Sequence, residues 1–474
     1  MPQAQRAASI SLAIRVLPLL VATAPAHGWP LGQWTVDAAA DATLRIDASS
    51  TVLRGTPSAG TPSANTGANW TLAVTPEGPR LSARAQTHCN GALFATAASW
   101  DSDGDGRINL ASGDRLRVYV AATMRVPVAR SWLAAITIDT RGDARLLWSV
   151  DDRSLPALGT LVVPPTVVRR PTGDPARPLR EFLIVGTGLA RTEAAATPAP
   201  APAAVLALDA DDGRPVAMPF DPRSRVPGGI TAIDVDADGD TDRLYFADAS
   251  HRVWQLAFVD DRPFRGLETR AREVALLGAG IDSDAALVHA PDAVTARDAD
   301  GVIRWQLTVG TSDLPDRRAS AHWLFHFDEP AVGAPPIDLV SLPLLAGAPS
   351  DADGLAHGYR LRLPAPLSAP TLTVDGRLLV ASASTASTRS CSDGMVEREA
   401  ATVLAIDRRN PSMPIVARRT RPVEVDAPLQ AGWSIDAANG DGGRLLCRLG
   451  DEALAECPAI PRVQRRWWTR SDAP

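Results

Sequence analysis

From Arg115 onward the chain is a series of short apolar runs, rich in β-branched and aromatic residues and separated by turn-forming segments. Such runs are typical of β-strands. Helical periodicity is scarce, and only Val274 to Ala279 and a few neighbours show a weak helical pattern. The candidate strands are LRVYVAAT, LAAITI, ARLLWSV, FLIVGT, VLALDA, RLYFAD, VWQLAF, VIRWQLTVG, HWLFHFD, YRLRL, RLLVASAS, VLAIDR and RLLCRLG. The sequence therefore predicts an all-β protein.

Several of these runs end in the same way, with apolar residues, then an aspartate, then a turn. This ending occurs at Leu208-Asp209, Phe327-Asp328 and Ile406-Asp407. Repeated β-turn-β units at uneven spacing predict a quinoprotein-like β-propeller of roughly six or seven blades. The Pro/Ala-rich segment from Thr192 to Ala204 is one inserted loop that makes the spacing uneven. A pair of β-sandwiches is the alternative architecture.

The N-terminal part divides into two segments before the predicted propeller. Residues 1–26 have the pattern of a secretory signal peptide, with early arginines, the apolar run Val16 to Ala22 and the small-residue site Ala24-Pro25-Ala26. An uncleaved N-terminal helix is the alternative. Residues 27–98 form a small β-rich region that contains the linker-like segment Gly55 to Asn69. Residues 99–474 are assigned to the propeller, and the protein is expected to be exported, without a transmembrane segment.

Charge and cysteine content narrow the class of protein further. The formal net charge is −6 and lysine is absent, which argues against sequence-independent binding of nucleic acid. An even number of cysteines in an exported chain predicts two disulfides, and three pairings are open. The four are Cys89, Cys391, Cys447 and Cys457. No CxxC pair is present, so a zinc or thioredoxin-type site is not expected.

The feature with the clearest chemistry is an acidic loop between two strand-like runs. Asp234, Asp236, Asp238 and Asp242 occupy its positions 1, 3, 5 and 9, and Gly239 occupies position 6. Ca²⁺ prefers six to eight hard oxygens on a tight curve, and alternate side chains of such a loop point inward. Glycine permits the bend, and the main-chain carbonyl of Asp240 can supply another oxygen. We interpret this loop as the principal calcium site; a solvated acidic turn is the alternative.

A second acidic loop, DSDGDGRIN, repeats part of this pattern. Asp101, Asp103, Asp105 and Asn109 occupy positions 1, 3, 5 and 9, and Ser112 stands at position 12, where an EF-hand has a bidentate glutamate. This loop is a possible second calcium site, with Asp114 as an additional candidate ligand. An ordinary acidic β-turn is the alternative.

Patterns that would indicate an enzyme are weak or absent. G-x-S-x-G, H-E-x-x-H and P-loop motifs are missing. The segment VGTG, at Val185 to Gly188, is interpreted as a turn because it lacks the third glycine and the helix of a dinucleotide site. His322 and His326 share one face of a predicted strand and are interpreted as a packed pair, with a metal pair as the alternative. The adjacent-cysteine pair of many pyrroloquinoline enzymes is absent, so no enzyme is predicted.

Two further segments have a functional and a structural interpretation. The tripeptide Arg141-Gly142-Asp143 is an integrin-type sequence at a predicted turn, and chance explains it in a chain rich in these residues. At the C-terminus, arginines surround Trp467 and Trp468. This segment is interpreted as the last strand of the ring, with a basic-aromatic contact patch as the alternative.

The acidic loop and several strand sequences resemble the PilY-type proteins of type IV pilus biogenesis. The resemblance rests on GGITAIDVDADGDTDRLYFAD followed by VWQL, together with FLIVGTG, VLALDADDGRPV, LSAPTLTVDGRLLVASAS and VLAIDRRN, in that order. It covers the chain from roughly Arg115 to the C-terminus. It does not extend to the large N-terminal adhesive domain common in that family, because no DxSxS motif is present.

The resemblance implies a non-enzymatic, exported pilus assembly or tip protein. In that family the domain binds Ca²⁺ and helps to promote pilus extension against retraction, so pilins or other pilus-assembly proteins are the implied partners. The alternative function is a secreted calcium-binding propeller that binds a glycan or protein ligand outside any pilus system.

Overall fold

The structure is a computed structural model, and its described part runs mainly from residue 113 to residue 382. Within that range, the structure does not describe residues 125–129, 140–142, 162, 175–176, 189–204, 219, 221–223, 237, 260–266, 279–284, 298–301, 314–318, 346–357, 369 and 375–376. Outside it, the structure describes only the strands given below. Predictions that fall on other residues therefore lie outside the described part.

The strands form consecutive antiparallel sheets, each built from neighbouring segments of the chain. The N-terminal sheet has the order β1-β2-β3-β4-β5, and its strands are Gln33–Ala39, Ala42–Ala48, Val52–Pro57, Trp70–Thr75 and Gly78–Ser82. The next sheet contains β6 (Gly91–Trp100), β7 (Arg115–Met124), β8 (Arg130–Ile138) and β9 (Ala144–Asp151). Strand β6 contains residue 98, the predicted boundary between the N-terminal region and the propeller. That boundary stays a prediction.

Three more sheets continue the same meander through the middle of the chain. The first contains β10 (Thr166–Asp174), β11 (Arg177–Gly186), β12 (Val205–Asp209) and β13 (Pro215–Val216). The second contains β14 (Thr231–Ile233), β15 (Arg243–Ala247), β16 (Arg252–Phe258) and β17 (Thr269–Leu276), and β21 (Ile337–Asp338) adds a parallel strand to β17. The third contains β18 (Asp292–Arg297), β19 (Ile303–Gly310), β20 (His322–Asp328) and β22 (Gly358–Leu363).

The C-terminal strands form one further four-stranded sheet and two smaller ones. The four-stranded sheet contains β23 (Leu372–Val374), β24 (Arg377–Ser382), β26 (Thr402–Asp407) and β27 (Pro414–Arg419). A short pair joins β25 (Arg398–Glu399) to β28 (Val423–Glu424), and a three-stranded sheet contains β29 (Trp433–Ala437), β30 (Leu445–Leu449) and β31 (Glu452–Leu454). A 3-10 turn at Leu339–Ser341 follows β21.

The five four-stranded meanders are arranged as propeller blades. Strand β6 contacts β10, β10 contacts β14, β14 contacts β18, and β18 contacts β23, so the first strand of each sheet lies beside the first strand of the next. The prediction of an all-β, propeller-like fold is confirmed. All the strand sequences predicted from Arg115 onward contain strands, and Val274, in the segment with a weak helical pattern, lies in β17 instead. The number of blades in the complete ring stays a prediction.

The second strand of a blade is apolar on both faces because its successive side chains pack into different cores. In β11, Leu183 and Val185 pack into the core between this sheet and the preceding one. Phe182 and Ile184 pack into the core between this sheet and the following one. Successive side chains of a strand point to opposite faces, so a strand between two blades supplies both cores. Full burial of one such side chain contributes about 1.5–3 kcal/mol.

Among the described residues, none belongs to a helix that is long and apolar enough to cross a lipid bilayer.

Candidate functional site

The principal acidic loop connects the first two strands of one blade. Ile233 at the end of β14 pairs with Arg243 at the start of β15, and the Asp242 N–H donates to the Ile233 carbonyl at 2.8 Å. The loop is thus closed at its base by the sheet ladder. Gly239 has a φ of +96°, a backbone conformation that residues with a Cβ rarely adopt. The glycine predicted for position 6 therefore occupies the sharp bend of the loop.

Hydrogen bonds from the loop's own main chain orient its carboxylates. Gly239 N–H donates to Asp234 Oδ2 at 2.9 Å, and Asp240 N–H donates to Asp238 Oδ1 at 2.9 Å. Asp238 N–H donates to Asp236 Oδ1 at 3.3 Å. These bonds curl the backbone around the acidic side chains, with the first three carboxylates at the surface.

The side-chain oxygens converge in two overlapping groups. One oxygen from each of Asp234, Asp236 and Asp242 lies within 4.8 Å of the others, and the same holds for Asp236, Asp238 and Asp240. Calcium–oxygen bonds are about 2.3–2.6 Å long, so two ligands on opposite sides of one ion are separated by about 5 Å. The donor set of hard oxygens and its spacing therefore fit Ca²⁺.

The electrostatics of the loop show that its carboxylates crowd one another. Burial raises the pKa of Asp242, and the charges of Asp236, Asp234 and Asp238 raise it further, against the opposing Val235 N–H. Burial also raises the pKa of Asp240 to about 7, and its hydrogen bond with Asp238 adds to the effect. The pKa of Asp238 is lowered, chiefly by that same hydrogen bond. A divalent cation would relieve this repulsion.

Position 7 of the loop has a second role that the sequence does not reveal. The Asp240 carboxylate is buried and accepts a hydrogen bond at 3.0 Å from Arg170 of β10, in the preceding blade. The sequence predicts that Asp240 offers its main-chain carbonyl to the ion, and this assignment stays a prediction. Position 12 of the loop is Tyr245, which is buried in β15, so no bidentate carboxylate stands there.

The second acidic loop and several other predicted features lie outside the described residues. They are the signal-like segment 1–26, the disulfides of the four cysteines, whose side chains are not described, Arg141 and Gly142 of the tripeptide, the aromatic C-terminus, and the possible calcium ligands Asp101, Asp103, Asp105 and Asn109. Asp114, the additional candidate ligand of that loop, is described and buried.

The histidine pair on β20 is buried, as expected for packed residues. His326 Nδ1 lies 2.8 Å from the Thr308 hydroxyl, and its ring packs 5.2 Å from that of Tyr359. His322 Nε2 lies 3.5 Å from Asp313 Oδ1, an acidic neighbour that sequence reasoning missed. Within the described residues, neither histidine belongs to a group of three or more potential metal ligands.

His322 also borders an open cavity at the edge of its sheet. This cavity, of about 370 Å³, is lined by Ser320, Ala321, His322, Arg362, Leu363 and Pro364. The interpretation of Val185 to Gly188 as a turn is wrong for its first half, because Val185 and Gly186 are the last residues of β11 and pair with β12. A Cβ on Gly186 would lie 2.4 Å from the Val226 carbonyl oxygen. Glycine here permits close approach of two backbone segments.

Comparison with known proteins bears on the fold through solved structures. No family model and no curated protein matches the sequence. The crystal structure of the Pseudomonas aeruginosa PilY1 C-terminal domain superposes with a TM-score of 0.52 at 13% identity, covering 87% of this chain and 92% of that chain. The chain has the fold of the PilY1 C-terminal domain. The PilY-type fold predicted from the acidic loop and strand sequences is confirmed.

A second solved structure is far less similar to this PilY-like chain. It is a levansucrase from B. megaterium, with a TM-score of 0.24 at 8% identity, covering 83% of this chain and 86% of that chain. A TM-score of 0.24 is too low to bear on fold or function.

Proposed function

We propose that this chain is a non-enzymatic, exported component of a type IV pilus system whose propeller binds Ca²⁺ and helps to regulate pilus extension and retraction. The proposal is supported by the fold, which is similar to that of the PilY1 C-terminal domain over 87% of the chain. The observation that carries it is the loop from Asp234 to Asp242, where the carboxylates of Asp234, Asp236 and Asp242 converge within 4.8 Å.

In this proposal, Ca²⁺ is bound by Asp234, Asp236, Asp238 and Asp242, with the Asp240 carbonyl as a further oxygen. When bound, the ion supplies positive charge that removes the repulsion among these side chains. The loop has few apolar contacts of its own, because Asp234, Asp236 and Asp238 are exposed. Its order, and that of any partner surface around it, would therefore depend on the ion.

Calorimetric titration with Ca²⁺ tests the binding part of the proposal. Asp234→Asn keeps an oxygen acceptor for the Gly239 N–H but removes one charge, so it should weaken binding at least tenfold. Asp212→Asn is the matched control, because Asp212 lies in another exposed acidic turn, where it accepts from the Arg214 N–H at 2.9 Å. This control should bind Ca²⁺ as the wild type does.

Replacement of the chromosomal copy by the Asp234→Asn form tests the biological part. We expect fewer surface pili or reduced twitching motility, while the Asp212→Asn strain behaves as the wild type. A protein that binds Ca²⁺ but whose loop variants leave pili unchanged would instead support the secreted calcium-binding propeller with a glycan or protein ligand.

A further inference from the structure

The proposed calcium loop is attached to the neighbouring blade by two hydrogen bonds to the backbone of Arg169. The Thr241 N–H donates to the Arg169 carbonyl at 2.8 Å, and the Arg169 N–H donates to the Thr241 hydroxyl at 3.2 Å. Arg169 belongs to β10 of the preceding sheet, and Thr241 follows position 7 of the loop. The second half of the loop therefore extends the contact between the first strands of two blades.

The next residue of β10 strengthens the same attachment with a buried charge. Arg170 Nη1 donates to Asp240 Oδ2 at 3.0 Å and to the Thr241 carbonyl at 2.8 Å. Only 3% of the Arg170 side chain is exposed, and its guanidinium lies 4.9 Å from the ring centre of Phe258. An arginine so buried depends on its carboxylate partner, because a buried unpaired charge is strongly destabilising.

The attached residue lies between two of the proposed ligands. Asp240 separates Asp238 from Asp242, and its N–H donates to the Asp238 carboxylate at 2.9 Å. Arg170 of the preceding blade donates to the same carboxylate that converges with those of Asp236 and Asp238. Arg170 therefore holds Asp240 in its place between two proposed ligands.

We propose that Arg170 is a positioning residue for the calcium loop, and that Ca²⁺ binding strengthens the contact between the blades of β10 and β14. This inference rests on the proposed calcium binding and adds the element that couples it to the rest of the fold. Arg170 would hold Asp240 in its place between Asp238 and Asp242, where its carbonyl can serve as a ligand.

Coupling of this kind is reciprocal. If the Arg170 contact raises the calcium affinity by some factor, bound calcium must favour the Arg170 contact by the same factor. The ion would then act on a blade to which it is not itself bound. The backbone amides of Arg169 and Thr241, which lie at this contact, should report the effect directly.

Calorimetric titration of the full chain with Ca²⁺ tests the proposal through three variants. Arg170→Met keeps an apolar stem near Phe258 but removes the donors, and it should weaken Ca²⁺ binding at least tenfold. Arg170→Lys keeps a charge that can reach Asp240 and should recover part of that loss. Arg130→Met is the matched control, because Arg130 donates to Asp151 and lies 4.9 Å from the ring centre of Trp132, in the sheet of β6 to β9.

The control separates loop positioning from general stability. Both arginine-to-methionine variants should melt at lower temperature in chelator, but Arg130→Met should bind Ca²⁺ within twofold of the wild type. Hydrogen exchange of the wild type provides a readout that needs no variant: the amides of Arg169 and Thr241 should exchange at least tenfold more slowly with Ca²⁺.

Each possible outcome decides between the proposals. A wild type that binds no Ca²⁺ would overturn the calcium function and this inference with it. A wild type that binds Ca²⁺, while Arg170→Met binds equally well or the two amides exchange at an unchanged rate, would overturn only the inference.

Discussion

The Tyr245 hydroxyl donates to Glu329 Oε2 at 3.2 Å, across the boundary between two adjacent blades. The Gln255 amide donates to that same hydroxyl at 3.1 Å, so the oxygen of Tyr245 is both donor and acceptor. The same contact occurs at another boundary, where Tyr119 donates to Glu181 Oε2 at 3.1 Å. Both tyrosine rings are buried. The boundaries between blades therefore combine apolar cores with partly buried hydrogen bonds from tyrosine to glutamate.

Tyr245→Phe and Tyr119→Phe should each destabilise the fold by about 1–3 kcal/mol, because each leaves a partly buried, charged glutamate with one donor fewer. Urea unfolding measures the loss. Val332→Thr is the control, since Val332 is 91% exposed and its replacement should change stability by no more than about 0.5 kcal/mol. Equal stability of wild type and both tyrosine variants would show that these bonds contribute nothing.

Asp238→Asn should remove the thermal stabilisation that Ca²⁺ provides through the Asp234 loop and leave the melting temperature in chelator nearly unchanged. The amide still offers an oxygen to the Asp240 N–H, and Asp238 is exposed, so the apo fold loses little. The wild type should gain about 2.7 kcal/mol at a calcium concentration of one hundred times Kd. Differential scanning calorimetry with and without Ca²⁺ compares the two proteins. A variant that gains as much as the wild type would make this loop an ordinary acidic turn.

The Asp234 loop should be the tighter of the two proposed calcium sites. It has four carboxylates at positions 1, 3, 5 and 9, whereas the Asp101 loop has three and an asparagine. Titration calorimetry on Asp236→Ala and Asp103→Ala ranks them, and Asp236→Ala should abolish the higher-affinity binding event. Loss of that event in Asp103→Ala would reverse the ranking.

Stability should fall as the pH decreases from about 6.5 to about 4 because of His289. Burial lowers the pKa of His289 to about 4, and its Nε2 lies 3.0 Å from the Leu367 carbonyl oxygen. The unfolded state therefore binds a proton in this range that the folded state does not, and stability is present above it and lost below it. The full decrease in the free energy of unfolding is about 3 kcal/mol.

Comparison of wild type with His289→Gln isolates this contribution, because the carboxylates that also titrate are common to both proteins. Glutamine retains an amide donor for the Leu367 carbonyl but carries no titratable proton. Urea unfolding at pH 7 and pH 4.5 should show a smaller loss for the variant. The same loss in both proteins would place the acid sensitivity elsewhere.

The sequence predicts the strands well because each strand's signal is local. The run from Phe182 to Val185 is apolar at every position, and this follows from packing into two cores. Which core each side chain joins depends on the neighbouring blades, and a single sequence does not contain that information. The same limit explains the weak helical pattern at Val274, which ladder pairing in β17 overrides.

The acidic loop is predictable for the same reason, since its candidate ligands lie within nine consecutive residues. Its attachment is not predictable, because Arg170 precedes Asp240 by 70 positions and nothing in the sequence near β10 indicates the pairing. Asp313 and His322 are close in sequence, but no recognisable motif predicts the contact between them. Contacts between blades are thus the features of the site that could not be predicted from the sequence.

The double-sided burial of strands such as β11 also determines how the molecule can fold. Because Leu183 and Phe182 belong to different cores, removal of one blade would leave an apolar face exposed on each of its neighbours. Blades joined in this way should unfold together as one cooperative unit, unlike the repeats of an open solenoid, which can fray from an end. A chain truncated after β13 would accordingly present the core face of Phe182 and Ile184 to water, and it should aggregate instead of forming a stable half-ring.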